Sequence, residues 1–120
     1  MPSAEVSTRL AAGTVEELHL DLRPEHLAKL RQLLRRHVPG IQVWAYGSRV
    51  TGGAHGGSDL DLVLRQPADL SRRSTVLPEL REALQQSRLT VLVDVHDWAE
   101  LPASFHREIE RCHVVIEPGR

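Results

Sequence analysis

Two aspartates, Asp59 and Asp61, stand one residue apart in the otherwise apolar run DLDLVLR at 59–65. Alternate residues of a strand point to the same face, so the two carboxylates are predicted to lie side by side, with their backbones roughly 6–7 Å apart. Two ionised carboxylates this close repel each other and resist the loss of solvent, so they require compensating positive charge. A divalent cation is the natural source, because hard oxygen ligands suit Mg²⁺ or Mn²⁺.

A third aspartate, Asp94, interrupts a second apolar run, LTVLVDVH at 89–96. If the two runs form neighbouring strands, Asp94 completes a cluster of three carboxylates. Such a cluster can hold two metal ions about 3.5–4 Å apart, the arrangement that drives in-line displacement at phosphorus. Asp97 competes for the role of third acid, but it also suits the N-cap of a helical turn beginning at Trp98. We favour Asp94 because it lies within the strand.

A glycine-rich segment at 47–58 directly precedes the paired aspartates. Gly47 and Ser48 follow a predicted strand and are expected to open one short helical turn, where backbone N–H groups and the Ser hydroxyl can bind phosphate oxygens. Glycine lets the backbone approach an anion closely, and Arg49 adds a charge-assisted donor for a triphosphate. We therefore predict that the loop binds phosphates while the acids bind the metal ions between them.

Each of these features has a simpler structural explanation when it is taken alone. A D-x-D pair occurs often by chance, a glycine-rich loop is more often flexible than a ligand site, and Asp94 alone suits the solvent face of a sheet edge. Among the histidines, His55 is interpreted as a loop residue, whereas His96 shares a strand face with Asp94. The combination of features is what indicates one site.

The rest of the sequence predicts the elements that position these residues. Strands are predicted at 17–22, 41–46, 59–65, 89–96 and 113–116, and helices at 24–38, 70–86 and 102–111. The second and third helices place Leu70, Leu80 and Phe105 on their apolar sides. This order indicates one small α/β (α+β) domain over residues 1–120, with a loose tail at 1–16 and a sheet of three to five strands flanked by helices.

Composition limits the functions open to the chain. It has 120 residues and a net charge of −1, so no overall field attracts nucleic acid, and direct nucleic-acid binding is not expected. A single cysteine, Cys112, argues against an internal disulfide or a cysteine-based zinc site and fits a reducing compartment. No segment has the length of a membrane span, and the start of the chain lacks the features of a signal peptide. A cytoplasmic protein without membrane contacts is predicted.

Taken together, the motifs resemble a known superfamily. Gly47-Ser48, ten intervening residues and then Asp59-x-Asp61 are similar to the signature of nucleotidyltransferases related to DNA polymerase β. The resemblance to the minimal nucleotidyltransferases of bacteria and archaea is carried by Gly47-Ser48-Arg49, Gly52, Ala54 and Ser58-Asp59-Leu60-Asp61-Leu62. The segments VDVHDW and LPASFHREIE extend it, with Asp94 at the position of the third acid, so that it spans about residues 24–116.

The resemblance implies a nucleotidyltransferase fold, a mixed sheet flanked by helices, with a defined set of ligands. In that family the three acids, here Asp59, Asp61 and Asp94, bind two Mg²⁺ ions, with Mn²⁺ as the alternative. The Gly-Ser motif of the family holds the triphosphate of ATP or another nucleotide. The residues predicted on this basis to bind the nucleotide are Gly47, Ser48, Arg49 and Ser58.

One position departs from the family pattern. Many relatives have a second basic residue two positions after Arg49, where this chain has Thr51. The resemblance therefore implies a weaker grip on the triphosphate, or one that relies on a partner.

The resemblance also implies a partner protein. Minimal nucleotidyltransferases are often the antitoxin of a pair with a small helical HEPN-type ribonuclease toxin, and some transfer AMP from ATP onto a tyrosine of that toxin. The chain has no room for an acceptor domain beyond its core, so the acceptor site is expected on a second subunit, either a different protein or a second copy of this chain. Our leading hypothesis is Mg²⁺-dependent transfer of AMP to a hydroxyl of such a toxin.

Two alternatives stay open from the sequence. One is an antitoxin that acts by binding alone, without catalysis. The other is a small-molecule adenylyltransferase of the antibiotic-modifying type, although the usual second domain of such enzymes is missing.

Overall fold

The computed structural model describes residues 7–9, 17–51, 59–89 and 91–119. The strands found in them are β1 (Ser7–Arg9), β2 (Glu17–His19), β3 (Gln42–Tyr46), β4 (Leu60–Arg65), β5 (Val93–Asp97) and β6 (Val114–Glu117). The helices are α1 (Pro24–His37), α2 (Ser48–Thr51), α3 (Leu77–Gln85) and α4 (Ala103–Arg111), with one 3-10 turn at Trp98–Glu100. Within these ranges, none of the helices has the length and apolar character that crossing a membrane requires.

Strands β3 to β6 form a four-stranded sheet in the order β5-β4-β3-β6. β4 pairs with β3 antiparallel and with β5 parallel, and β6 pairs with β3 antiparallel. β1 and β2 form a separate two-stranded antiparallel ribbon. The predicted fold, a mixed sheet of three to five strands flanked by helices, is confirmed.

Helix α1 follows the sequence pattern closely. Pro24 stands in its first turn, where the missing N–H costs nothing. Leu27, Leu30 and Leu34 recur at helical spacing and are buried. The chain leaves the helix and turns at Gly40, which has a φ of +80°, a backbone conformation that glycine adopts readily.

The sheet has two unlike faces. Its main-core face, which includes Leu60, Leu62 and Val95, packs with the apolar sides of α1 and α3 in the larger hydrophobic cluster. The opposite face, called here the α4 face, carries a smaller cluster beneath α4. The buried members of the smaller cluster are Trp44, Val63, Trp98 and Ile109. Because strand residues alternate between faces, β3, β4 and β6 contribute to both clusters.

The helix predicted at 70–86 is wrong in its first part, because α3 begins only at Leu77. Pro78 stands in the first turn of α3, where proline is tolerated, whereas inside a longer helix its ring would clash with the preceding turn. Upstream, the carboxylate of Asp69 accepts hydrogen bonds from the backbone N–H and the hydroxyl of Ser71, at 3.0 and 2.6 Å. Local bonds of this kind favour a turn over a helix.

The strand predicted at 89–96 starts too early and ends one residue too soon. β4 begins at Leu60, which lies opposite Val93, so β5 gains its pairing partner only there. The carbonyl of Leu92 accepts the N–H of Leu60 at 2.8 Å, so one hydrogen bond to β4 forms just before β5 begins. The side chain of Leu92 is 74% exposed and does not belong to the buried core.

Two further predictions differ from the structure. Ser7–Arg9 pairs with β2, although the sequence predicted a loose tail at 1–16; the other residues of that tail lie outside the described ranges. Phe105 was predicted to be buried by the last helix, but its side chain is 50% exposed. α4 packs on the sheet through Ile109 instead. Phe105 borders a cavity between α4 and α2, and this cavity leaves one side of the ring open.

Paired substitutions test the observed start of α3. We expect Leu80→Ala to lower the free energy of unfolding by about 2–5 kcal/mol, since Leu80 is fully buried. Leu70→Ala should change it by less than about 1 kcal/mol, since Leu70 is 38% exposed and lies before the helix. Urea unfolding followed by circular dichroism measures both values. Equal losses would contradict the structure and support the longer helix.

Candidate active site

Tyr46, Asp61 and Asp94 form a row across three neighbouring strands on the α4 face. In the antiparallel pair of β3 and β4, Tyr46 lies opposite Asp61. In the parallel pair of β4 and β5, Asp61 is aligned with Asp94. Asp59 precedes β4 by one position, two residues before Asp61. The strand register thus aligns two of the acids that the sequence singled out, and Asp59 lies just before the strand that carries Asp61.

The acids lie at the end of the α4 face that α4 leaves uncovered. Further along the same face, Trp44 and Val63 are buried beneath α4. At the open end, Asp61 is half-buried, while Asp59 and Asp94 are exposed. One face of the sheet therefore carries a dry apolar cluster and, next to it, a row of solvent-accessible carboxylates.

The environment of Asp61 disfavours its negative charge. Partial burial is the largest cause that raises the pKa of this carboxyl above its usual range, followed by repulsion from Asp94 and then from Asp59. The imidazole of His96 acts in the opposite direction. The same surroundings raise the pKa of the Tyr46 phenol to about 12, through burial and then the charges of Asp61 and Asp94. Tyr46 therefore stays protonated at neutral pH.

The carboxylates do not close into a ligand set by themselves. Asp94 Oδ2 lies 3.1 Å from Nε2 of His96, so the side chain is turned toward that ring. Within the part of the chain that the structure describes, no group of three or more His, Cys, Asp or Glu side chains is arranged to bind a metal ion. Like charges favour such separation.

Gly47 is required beside the acids for two reasons. Its φ of +84° is a conformation that residues with a side chain rarely adopt. A Cβ atom at this position would also collide with Asp61 Oδ2 and lie 3.3 Å from Asp61 Cγ. The carbonyl of Gly47 accepts the N–H groups of Val50 and Thr51, both at 3.0 Å, and so closes the short helix α2. The helical turn predicted after Gly47-Ser48 is confirmed.

Arg49, predicted to bind the triphosphate, is tied to the segment that follows β2. Its Nη1 donates to the carbonyl of Asp21 at 2.8 Å, and the N–H of Asp21 donates to the carbonyl of Arg49 at 2.7 Å. The Arg49 side chain is 11% exposed. These bonds fix α2 to the lead-in of α1, a structural role that the sequence did not indicate.

The structure separates the two candidates for the third acid. Asp94 lies on the α4 face beside Asp61, whereas Asp97 is one position past His96 and belongs to the other face. Asp97 is buried, and its Oδ2 accepts the backbone N–H of Ser74 at 3.1 Å. It occupies the N-cap position of the 3-10 turn at Trp98, as predicted, but its side chain makes no capping bond there.

Some predicted residues lie outside the described ranges, and one neighbour of the acids was missed. Ser58, a predicted nucleotide-binding residue, and His55 fall within residues 52–58, which the structure does not describe. Tyr46 was not singled out, although it directly precedes Gly47. An antiparallel pairing of the two strands around the glycine loop would have placed it near the paired aspartates.

Comparisons with known proteins match most of the chain. The family described as poly(A) RNA polymerase, mitochondrial-like, central palm domain matches residues 3–115. A probable protein adenylyltransferase MntA of Haemophilus influenzae is 40% identical over 100 residues, which cover 82% of this chain and 84% of that protein.

Two solved structures share the fold. A crystal structure of a toxin–antitoxin with AMP-PNP matches with a TM-score of 0.62 at 23% identity, over 78% of this chain and 74% of that one. A mutant of the toxin–antitoxin MntA-HpeT matches with a TM-score of 0.61 at 21% identity and the same coverage. With the palm-domain match and the 40% identical relative, this chain belongs to the minimal nucleotidyltransferases of the DNA polymerase β-like superfamily.

Proposed function

We propose that the protein transfers AMP from ATP to a hydroxyl group of a partner toxin and thereby acts as the antitoxin. The observation that carries the proposal is the alignment of Asp61 with Asp94 beside the Gly47 turn, in a chain 40% identical to a probable protein adenylyltransferase. The match to a toxin–antitoxin structure with AMP-PNP supports a nucleotide and a toxin as partners. Under this proposal the reaction takes place in the cytoplasm, where ATP is available.

The donor chemistry of the three acids suits a divalent cation, although their carboxylates are not gathered around one point in this structure. Asp59, Asp61 and Asp94 offer hard oxygen donors, the ligands that Mg²⁺ and Mn²⁺ prefer. Burial, and then repulsion from Asp94 and Asp59, raises the pKa of Asp61, and a cation bound among the acids would relieve that repulsion. We propose that they hold two Mg²⁺ ions. When bound, these ions neutralise charge on the triphosphate and make the acceptor hydroxyl more acidic.

The reaction forms a bond between the acceptor oxygen and the α-phosphorus of ATP. The bond from that phosphorus to the oxygen bridging to the β-phosphate breaks, and pyrophosphate leaves. We assign Asp94 to accept the hydroxyl proton, because it is the exposed acid at the end of the row. His96, at 3.1 Å, orients that carboxylate. Tyr46 stays protonated and forms the other end of the row.

The triphosphate is proposed to lie against the Gly47 turn. The Asp61 carboxylate packs against Gly47, so metal ions held by the acids would lie beside this turn, and Ser48 adds a hydroxyl at the start of α2. Arg49 and Ser58 are proposed as further donors, with Arg49 anchored through Asp21.

Isosteric substitutions test the catalytic assignment. Asp61→Asn and Asp94→Asn should each reduce AMP transfer at least about 100-fold, because amides are poor ligands for hard cations and poor proton acceptors. Transfer is measured with α-labelled ATP and the proposed toxin partner as acceptor. Asp69→Asn is the matched control, since Asp69 is exposed and bonds only locally with Ser71. Unchanged transfer in both site variants would refute the assignment.

The same variants separate catalysis from neutralisation by binding alone. If the antitoxin works by AMP transfer, Asp61→Asn should lose protection against the toxin in a growth assay. Full protection by a variant that transfers no AMP would establish the binding-only alternative.

Metal binding should be visible in thermal stability. The raised pKa of Asp61 means that the folded protein binds a proton there more tightly than the unfolded chain, so stability falls as pH rises through and above the ordinary value of 3.8. In EDTA at pH 7, Asp61→Asn should therefore melt a few degrees above the wild type. Adding Mg²⁺ should raise the melting temperature of the wild type and leave the variant unchanged.

The matched control for the melting experiment is Asp69, whose pKa is shifted in the opposite direction to that of Asp61. The hydroxyl and N–H of Ser71 lower the pKa of Asp69, so the charge of Asp69 stabilises the fold above its ordinary pKa. Asp69→Asn should melt at or below the wild type and keep its response to Mg²⁺. A Mg²⁺ response retained by Asp61→Asn would contradict the proposed metal site.

Two glycines allow the contact between Gly47 and Asp61 to be isolated. Gly47→Ala and Gly40→Ala both place a side chain at a positive φ, which costs about 1–3 kcal/mol. A Cβ at position 40 meets nothing within 4 Å, whereas one at position 47 meets the Asp61 carboxylate. We expect similar or greater destabilisation from Gly47→Ala, and loss of AMP transfer from that variant alone. Retained activity in Gly47→Ala would refute close packing of Gly47 against the catalytic acid.

A further inference from the structure

We infer that the nucleobase of the triphosphate substrate binds in the cavity between α2 and α4; the inference rests on the proposed function. This cavity, of about 250 Å³, is lined by residues of β3, of α2 and of α4. It is the cavity left open beside Phe105, the aromatic side chain that the sequence predicted to be buried.

The cavity adjoins the candidate acids through two shared residues. Tyr46 and Gly47 both line the cavity. Both also adjoin Asp61, since Tyr46 lies opposite Asp61 in the sheet and Gly47 packs against its carboxylate. A nucleotide whose phosphates lie at the acids therefore has the cavity within reach of its ribose and base.

The chemistry of the lining suits a planar heterocycle. Phe105 and Tyr46 provide aromatic rings, and Ile109 provides an apolar wall. Stacking on an aromatic side chain accepts any base, because every base has a π-face. Phe105 is one of three large apolar side chains exposed in the described part of the chain, and it is the one that lines this cavity.

The one charged side chain in the described lining disfavours phosphates in the same place. Glu108 is the charged side chain among the described residues that line the cavity, and a carboxylate repels phosphate oxygens. It also pairs with Arg111 at 3.7 Å, on the exposed surface of α4. A carboxylate accepts hydrogen bonds from amino groups on the edge of a base, so Glu108 favours a base that offers such donors.

Binding measurements with and without a base test the inference, and they need no acceptor protein. Isothermal titration calorimetry measures the affinity of each variant for MgATP and for inorganic tripolyphosphate with Mg²⁺. Phe105→Ala should weaken MgATP binding about 5- to 100-fold and leave tripolyphosphate binding unchanged. Phe105→Leu keeps the apolar bulk but removes the ring face, so its affinity for MgATP should lie between those of the wild type and Phe105→Ala. Arg107→Ala, an exposed neighbour on α4 outside the cavity lining, should bind both ligands like the wild type.

The remaining outcomes each overturn the inference in a distinguishable way. MgATP binding that is unchanged in Phe105→Ala would show that the base lies elsewhere, and would leave the proposed AMP transfer intact. An equal loss of affinity for both ligands would mean that the change acts through the phosphates or the fold. Wild-type protein that binds neither ligand would overturn this inference together with the proposed function.

Discussion

The candidate site depends on the register of the parallel pairing between β4 and β5. A slip of one residue would turn Asp94 toward the main-core face and bring Val95 out in its place. The buried pair of Leu62 and Val95 opposes that slip, because both side chains are almost fully excluded from solvent. Arg81 of α3 adds a second restraint, since its Nε and Nη2 donate to the carbonyl of Val95 at 3.2 and 2.7 Å. The alignment of two repelling carboxylates is thus imposed by the hydrophobic core and by a helix on the far side of the sheet.

A second constraint fixes α4 beside the acids. Trp44 and Trp98 meet edge to face with centroids 5.8 Å apart, and the guanidinium of Arg65 lies 3.8 Å from one ring and 4.4 Å from the other. His106 stacks on Trp98 at 3.9 Å and His113 on Trp44 at 3.7 Å. Burial is the largest cause that lowers the pKa of His113, which keeps that imidazole neutral in the stack. These planar groups anchor α4 to the sheet and so fix the position of the helix that lines the cavity.

The sequence singles out the candidate acids by their types and spacing, but it does not give the arrangement that joins them. The spacing of Asp59 and Asp61 indicated a shared face, but the alignment of Asp94 with Asp61 is a long-range pairing that no local pattern encodes. The contact made by Asp97 is likewise a long-range one that the local sequence does not encode. Its local pattern suggested a helix cap, but the carboxylate is buried against the backbone of Ser74, 23 positions away.

Apolar periodicity misled where a single residue decided the outcome. Pro78 stops α3 from extending backwards, although Leu70 continues the periodic pattern of the helix. Phe105 and Ile109 are four residues apart and suggest one buried side of α4, but only Ile109 reaches the cluster under the helix. Periodicity tells which side of a helix faces the protein, but not whether the neighbouring layer fills the space in front of each side chain.

The candidate site has a side toward α4, where the cavity lies, and a side toward the edge strand β5, where Asp94 lies. At the end of the sheet where Tyr46 and Asp61 meet, the cavity lies toward α4 and Asp94 lies on the edge strand β5. In-line displacement requires the attacking oxygen and the leaving pyrophosphate on opposite sides of the α-phosphorus. With the triphosphate against the Gly47 turn, the acceptor hydroxyl then has to enter from the side of Asp94. That side is open to solvent, since Asp94 and the neighbouring Leu92 are both exposed, and it can therefore admit a hydroxyl carried by another protein.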